Sequence, residues 1–130
     1  MPSILADSSV LIEFFRPGGR EDIRGEVGSL LENGRLAVCG IVVSELLQGV
    51  RAGEKAPLQD LLGEAQYVEL TRPDFEAAGE ACNALRRKGH KVPVTDALIA
   101  SLCGRLKMPL FTLDSHFHQF QGLVLHGPKN

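Results

Sequence analysis

Residues 4–15 read ILADSSVLIEFF. The run from Ile4 to Ala6 is short and apolar and suits a strand, and Asp7 follows it directly. SSVLIEFF then reads as a helix that Ser8 or Ser9 can cap. The rest of the chain continues this alternation. Residues 21–33 carry Ile23, Val27, Leu30 and Leu31 at helical spacing until Asn33-Gly34 stops them. Residues 36–41 read as a strand, followed by a helix with Val43, Leu46, Leu47 and Val50 on one face. A short helix around Leu58, Leu61 and Leu62 leads to a strand near 67–70. A further helix starts within 71–74, buries a stripe of Phe75, Ala78, Cys82 and Leu85, and ends at Gly89. Residues 96–106 are apolar nearly all round, which predicts a central buried helix. Strands at 110–113 and 123–125 close the chain. Strands alternating with helices predict an α/β fold whose parallel sheet is covered on both faces.

The bulk composition agrees. At 130 residues, with 44% hydrophobic and 23% charged residues, the chain reads as a single globular domain over 1–130. Asp7 and Glu13 interrupt the first apolar stretch, so a secretory leader is not expected, and no stretch has the length of a membrane span. A cytoplasmic location is expected. Cys39, Cys82 and Cys103 lack any Cys-x-x-Cys spacing and read as small core residues in a reducing compartment. A formal net charge of −2 offers no global sign of a nucleic-acid binder, although local charge matters more than the total.

The acids carry the functional signal. Asp7, Glu45, Asp96 and Asp114 each sit where an apolar run ends or a new one begins. A carboxylate among apolar neighbours is costly unless hydrogen bonds, a cation or a metal stabilise it. In open parallel sheets, ligands bind beyond the carboxyl ends of the strands. Asp7 and Asp114 directly follow strands, while Glu45 and Asp96 fall in the first turns of helices, so all four project toward one sheet edge. Each also has a plain structural reading as a helix-start or turn residue. Their joint placement favours a pocket of acidic oxygens, which is what a hard divalent cation requires. Glu13 is the nearest rival, and solvent exposure on its helix is the simpler account.

LADSSVLIEFF, IVVSELLQGV, GHKVPVTDALIASL and LFTLDSHF, taken in that order, resemble the motifs of PIN-domain ribonucleases, most closely the VapC-type toxins of toxin–antitoxin pairs. The likeness runs over nearly the whole length. It implies a PIN-like three-layer α/β/α domain with a central, mainly parallel sheet, and an Mg²⁺- or Mn²⁺-dependent endoribonuclease leaving 5′-phosphate and 3′-hydroxyl ends. Asp7, Glu45 and Asp96 would be the principal metal ligands, with Asp114 a further or water-mediated one. Ser9 and Thr112 would orient carboxylates. A homodimer and a small antitoxin partner of the VapB kind are also implied, with the helices at 42–52 and 55–64 as the candidate antitoxin surface. Any amphipathic helix must bury one face, and that plain reading covers about half of their apolar side chains.

RNA needs cations of its own. Arg86, Arg87, Lys88 and Lys91, with His90, form a basic run before Asp96 that could contact a phosphate backbone. A solvated helix end complementing the helix dipole is an equal reading. Arg16, Arg20 and Arg24 could line the opposite rim or lie in exposed loops. His116-x-His118 lacks a nearby third ligand at ordinary zinc spacing, so all four histidines read as structural or surface residues. Two rival functions remain. A PIN-like module could bind RNA or a partner without cutting. A receiver-like phosphoacceptor domain would need paired acids at the first strand and a late lysine after a strand, whereas here Asp7 is alone and Lys107 precedes its strand.

Overall fold

The computed structural model describes residues 2–127. Its elements are β1 (Ile4–Ala6), α1 (Ser8–Phe15), α2 (Glu21–Glu32), β2 (Leu36–Cys39), α3 (Gly40–Gly49), α4 (Lys55–Glu64), β3 (Gln66–Val68), α5 (Arg72–Arg87), α6 (Val94–Leu106) and β4 (Leu110–Phe111), followed by a 3-10 turn at Ser115–Gln119. The four strands form one sheet in the order β3-β2-β1-β4, and every neighbouring pair is parallel. β1 and β2 are buried along their whole lengths, as expected for strands covered on both faces. Val10 and Leu11 of α1, Ile23 and Val27 of α2, Val42 of α3, Leu58 of α4 and Leu102 of α6 join them in one core. Ala78 of α5 packs with Ala97 and Leu98 of α6 in a smaller cluster.

This order makes the chain reverse direction across the sheet. It proceeds from β1 outward to β2 and β3, then returns to place β4 on the other side of β1. The crevice between the ends of β1 and β4 is therefore the topological switch point, the usual ligand position in such sheets.

Several details differ from the sequence expectation. β2 ends at Cys39, because the next helix begins at Gly40. A Cβ at Gly40 would start 2.8 Å from the Tyr67 hydroxyl, so any larger residue there would displace the tyrosine tip. The buried positions of α3 are Val42 and Leu46, with Val43 half-buried and Leu47 exposed. In α5, Phe75 is exposed, and Asp74 with Ala78 takes the inward face, because the Asp74 carboxylate bonds to Arg105 of α6. The predicted strand at 123–125 is reduced to one parallel bridge, Leu110 to Leu125. Glu13 is buried and not exposed: it accepts from the Arg20 backbone N–H at 2.8 Å and pairs with Arg16 at 2.9 Å, closing the turn between α1 and α2. Gly19 lies in that turn, where an added Cβ would fall 2.1 Å from the Glu13 carbonyl oxygen.

Candidate active site

Asp7 caps α1, but through its own side chain, not through Ser8 or Ser9. Its Oδ1 accepts from the Val10 N–H at 3.3 Å and from Ser9 Oγ at 2.6 Å. Thr112 Oγ1, from just beyond β4, donates to the other carboxylate oxygen. The backbone joins the same two strand ends, since the Asp7 N–H donates to the Phe111 carbonyl at 3.1 Å. Ser9 and Thr112 are themselves held in place: Ser9 Oγ accepts from the Leu113 N–H at 2.9 Å, and Thr112 Oγ1 accepts from the Asp114 N–H at 3.0 Å. One hydrogen-bonded network thus crosses the switch point and fixes the Asp7 carboxylate.

Asp96 lies in the first turn of α6, and Asp114 caps the 3-10 turn, its Oδ1 accepting from the His116 N–H at 2.9 Å. Three of the four acids act on one another. Burial pushes Asp7 above the ordinary carboxylate range, against the hydrogen bonds from Ser9, Thr112 and Val10, and the charge of Asp114 adds to the rise. Asp96 is raised first by burial, then by Asp114, with Asp7 adding a smaller share and His116 opposing. This is the behaviour of carboxylates sharing a poorly solvated pocket without enough positive charge. The buried Oδ2 of Asp96 has no hydrogen-bond partner among the described residues.

Glu45 is the outlying member. Because α3 starts at Gly40, Glu45 occupies the second turn and not the first, and its side chain is exposed. Ser8 Oγ donates to its Oε1 at 3.0 Å, tying it to the start of α1 beside Asp7. Glu45 also borders a groove of about 460 Å³ formed with Ile12, Phe15, Leu46, Val50 and Leu58 from α1, α3 and α4.

The PIN domain model matches residues 4–123 of this chain. The chain belongs to the PIN-domain family. A relative, ribonuclease VapC10 of Mycobacterium tuberculosis, is 31% identical over 121 residues, covering 92% of this chain and 90% of that protein. Among solved structures, VapBC2 from Rickettsia felis, bound to a DNA fragment from its promoter, superposes with a TM-score of 0.78 at 19% identity, covering 95% of this chain and 96% of that one. FitAcB from Neisseria gonorrhoeae gives 0.78 at 21% identity, with the same coverages.

Within this PIN domain the histidines separate into different roles. His126 pairs with Glu26 and stacks edge-on against Phe111, a structural role. His116 is exposed, as expected of a surface residue, but it also lies beside two of the acids. Its Nδ1 stands 3.4 Å from Asp96 Oδ2 and 3.3 Å from Asp114 Oδ1. The third candidate ligand that the sequence did not offer beside His116 is Asp96, which meets it only when α6 docks against the 3-10 turn. The expected basic rim divides as well. Arg16 and Arg20 form internal pairs with Glu13 and Asp22, and Arg24 donates to the Arg16 carbonyl. Arg86 and Arg87 in the last turn of α5, with Lys88 and Lys91 after it, are exposed. Cys39 and Cys103 are buried, and burial, with Cys39 and Asp7 adding to it, pushes the Cys103 thiol up to about 12, so it stays protonated.

Proposed function

We propose that this protein is a divalent-metal-dependent endoribonuclease, folded as a single domain over residues 1–130, that acts in the cytoplasm as the toxin of a toxin–antitoxin pair. One observation carries the reading: the charges of Asp7, Asp96 and Asp114 oppose one another, and a buried Asp96 oxygen lacks a hydrogen-bond partner among the described residues. The donor set suits Mg²⁺ or Mn²⁺, because it is rich in hard oxygen and carries too much negative charge to remain stable alone. Kinship to a ribonuclease at 31% identity supports RNA as the substrate. Among the described residues, no helix is long and apolar enough to cross a membrane.

Asp7, Asp96 and Glu45 would be the principal ligands, with Asp114 joining directly or through water. When bound, the ion supplies the positive charge that offsets the phosphate and acidifies a water for in-line attack. The chain's own residues do the rest. Ser9, Thr112 and the Val10 N–H hold Asp7 in one orientation, so no reorganisation is needed when substrate arrives. Glu45, exposed and hydrogen-bonded to Ser8 next to Asp7, would join the ion from the side of α3. Arg86, Arg87, Lys88 and Lys91 would hold the RNA backbone leading to it, a contact that weakens with salt.

The antitoxin would be a small VapB-like protein, and the toxin would also pair with a second copy of itself. The apolar groove between α1, α3 and α4 suits an amphipathic segment of the antitoxin. Of the six leucines and valines expected there, Leu46, Leu58 and Leu61 are buried in the domain's own core, leaving Leu47, Leu62 and Val50 at least partly available.

Cleavage of total RNA by purified protein in Mg²⁺, Mn²⁺ or EDTA tests the reading. Discrete fragments that require metal support it. RNA retained without cleavage by folded protein, in every metal, would favour the silent binding module. Thr112 gives a finer test. Thr112→Val should lower the cleavage rate about 10–100-fold, the usual cost of losing a group that orients a metal ligand, while Thr112→Ser recovers most of it. Equal rates for Thr112→Val and wild type would remove Thr112 from the machinery.

A further inference from the structure

Among the described residues, His116 brings a nitrogen to the carboxylates of Asp96 and Asp114. We infer that His116 is a ligand of the cation held there, and that the resulting oxygen–nitrogen site favours transition-metal ions over Mg²⁺. The inference rests on the metal-dependent reading above and specifies which ion that site takes.

The spacing of these three side chains fits a coordination shell. One ligand atom each from Asp96, Asp114 and His116 lies within 4.8 Å of the other two. Adjacent ligands of one metal, each bonded at about 2.1 Å, stand about 3 Å apart. His116 Nδ1 lies 3.3 Å from Asp114 Oδ1 and 3.4 Å from Asp96 Oδ2. At 3.4 Å the nitrogen is within ion-pair reach of Asp96 Oδ2 but outside hydrogen-bond geometry, and the same nitrogen lies 3.3 Å from Asp114 Oδ1. It therefore stands between two carboxylates and is not hydrogen-bonded to either.

The local fold explains why the ring is there. Asp114 caps the 3-10 turn by accepting from the His116 backbone N–H, which holds the two residues together. Phe117, the next residue, is buried and anchors the turn. His116 itself is half exposed, with a side-chain exposure of 54%, so the core does not depend on it.

The chemistry then sets the selectivity. Carboxylate and water oxygens suit Mg²⁺ and Mn²⁺ alike, whereas an imidazole nitrogen adds affinity along the series from Mn²⁺ toward Ni²⁺ and little for Mg²⁺.

Pulsed electron paramagnetic resonance on the full-length, metal-free protein loaded with Mn²⁺ provides the test, with calorimetric titrations of Mn²⁺ and Mg²⁺ alongside. Wild type should show ¹⁴N coupling to the Mn²⁺ electron spin, and His116→Ala and His116→Gln should lose it. Losing even an outer partner of a metal ligand costs about 10–100-fold in affinity, so Mn²⁺ binding should weaken by at least about tenfold in both variants. Mg²⁺ affinity should stay within about twofold, since that ion takes its ligands from oxygen. His118→Ala, a substitution at an exposed histidine of the same turn, should keep the coupling. Mn²⁺ bound without nitrogen coupling and with equal affinity in wild type and His116→Ala would overturn the inference and leave the carboxylate metal site intact. Mn²⁺ binding indifferent to Asp96→Asn would overturn the metal reading itself, and the role of His116 with it.

Discussion

Asp96→Asn should abolish RNA cleavage while raising the melting temperature of the metal-free protein. The expected loss of rate is about a thousandfold or more, because the group acts where charge develops in the reaction. The gain in stability follows from the same burial. Asp96 and Asp7 both sit above the ordinary carboxylate value of 3.8 in the folded chain, first because of burial. A carboxyl group raised in this way contributes stability that is present below its ordinary value and lost as pH rises through its folded value. At neutral pH in EDTA the two charges therefore work against the fold, and a neutral amide removes that cost. A higher melting temperature in EDTA is expected for Asp96→Asn, whose Oδ2 has no hydrogen-bond partner to lose among the described residues. Asp7→Asn keeps the helix cap, since an amide oxygen still accepts the Val10 N–H.

The difference between wild type and variant should shrink as pH falls below the ordinary carboxylate value of 3.8 and widen toward pH 7. Adding Mn²⁺ should reverse the order, because an ion that binds only the native state stabilises wild type alone. Thermal melts in EDTA across this range, paired with a cleavage assay, measure both halves. A variant that melts lower than wild type at pH 7 in EDTA would contradict the account of a charge-strained pocket. Cleavage that survives both substitutions would remove these acids from the chemistry.

Away from the pocket, the largest stability effect is expected at Asp74 and Arg105. Asp74 is 2% exposed, at the start of α5, and Arg105 lies in the last turn of α6. The guanidinium donates from Nε to Oδ1 at 2.8 Å and from Nη2 to Oδ2 at 2.9 Å, a two-pronged contact, and Nη2 also reaches the Glu69 carbonyl at 3.1 Å. Thr71 completes the site: its N–H donates to Asp74 Oδ2 at 2.8 Å in a reciprocal helix cap. The pair therefore fastens the beginning of α5 to the end of α6, the helix that carries Asp96.

Breaking a fully buried pair costs about 3–5 kcal/mol. Arg105 is about a third exposed, and solvent screening reduces the expected cost of Asp74→Ala to about 2–3 kcal/mol, or about 10 °C in melting temperature. Arg105, ahead of any other cause, holds Asp74 below the ordinary carboxylate range. The sign is therefore opposite to that at Asp7 and Asp96. This stability is present above 3.8 and is lost only as pH falls through the lowered value. Urea denaturation at pH 7, 5 and 3 should show a constant penalty for Asp74→Ala at the first two and a smaller one at the third. A penalty that is already gone at pH 5 would mean that the pair contributes nothing to the fold.

Much of the architecture was legible in the chain because periodicity reports local geometry. The apolar runs of β1 and β2 marked strands buried on both faces, and Asn33-Gly34 and Gly89 marked helix ends, both glycines adopting positive φ. The placement of Asp7 directly after β1 was likewise a matter of order along the chain. β4, by contrast, ends at Phe111, short of the expected 110–113, so Asp114 follows it by three residues and caps the 3-10 turn. Helix phase was less accessible. The one-residue difference between a hydrophobic stripe through Val43 and one through Val42 depends on where α3 begins, and the close approach of Tyr67 to Gly40 is a contact across the fold.

The site divides along the same line. Which acids could meet was readable from their positions at strand and helix ends. How they meet was not: Thr112 reaches Asp7 across 105 positions in the chain. Glu45 proved to be the exposed member, Glu13 a buried one, and His116 a neighbour of two carboxylates. Burial, the spacing of charges and the absence of a donor at Asp96 Oδ2 are properties of packed surfaces. They come into being only when α6 and the 3-10 turn close over the end of the sheet, because desolvation depends on every neighbour at once and no single segment carries it.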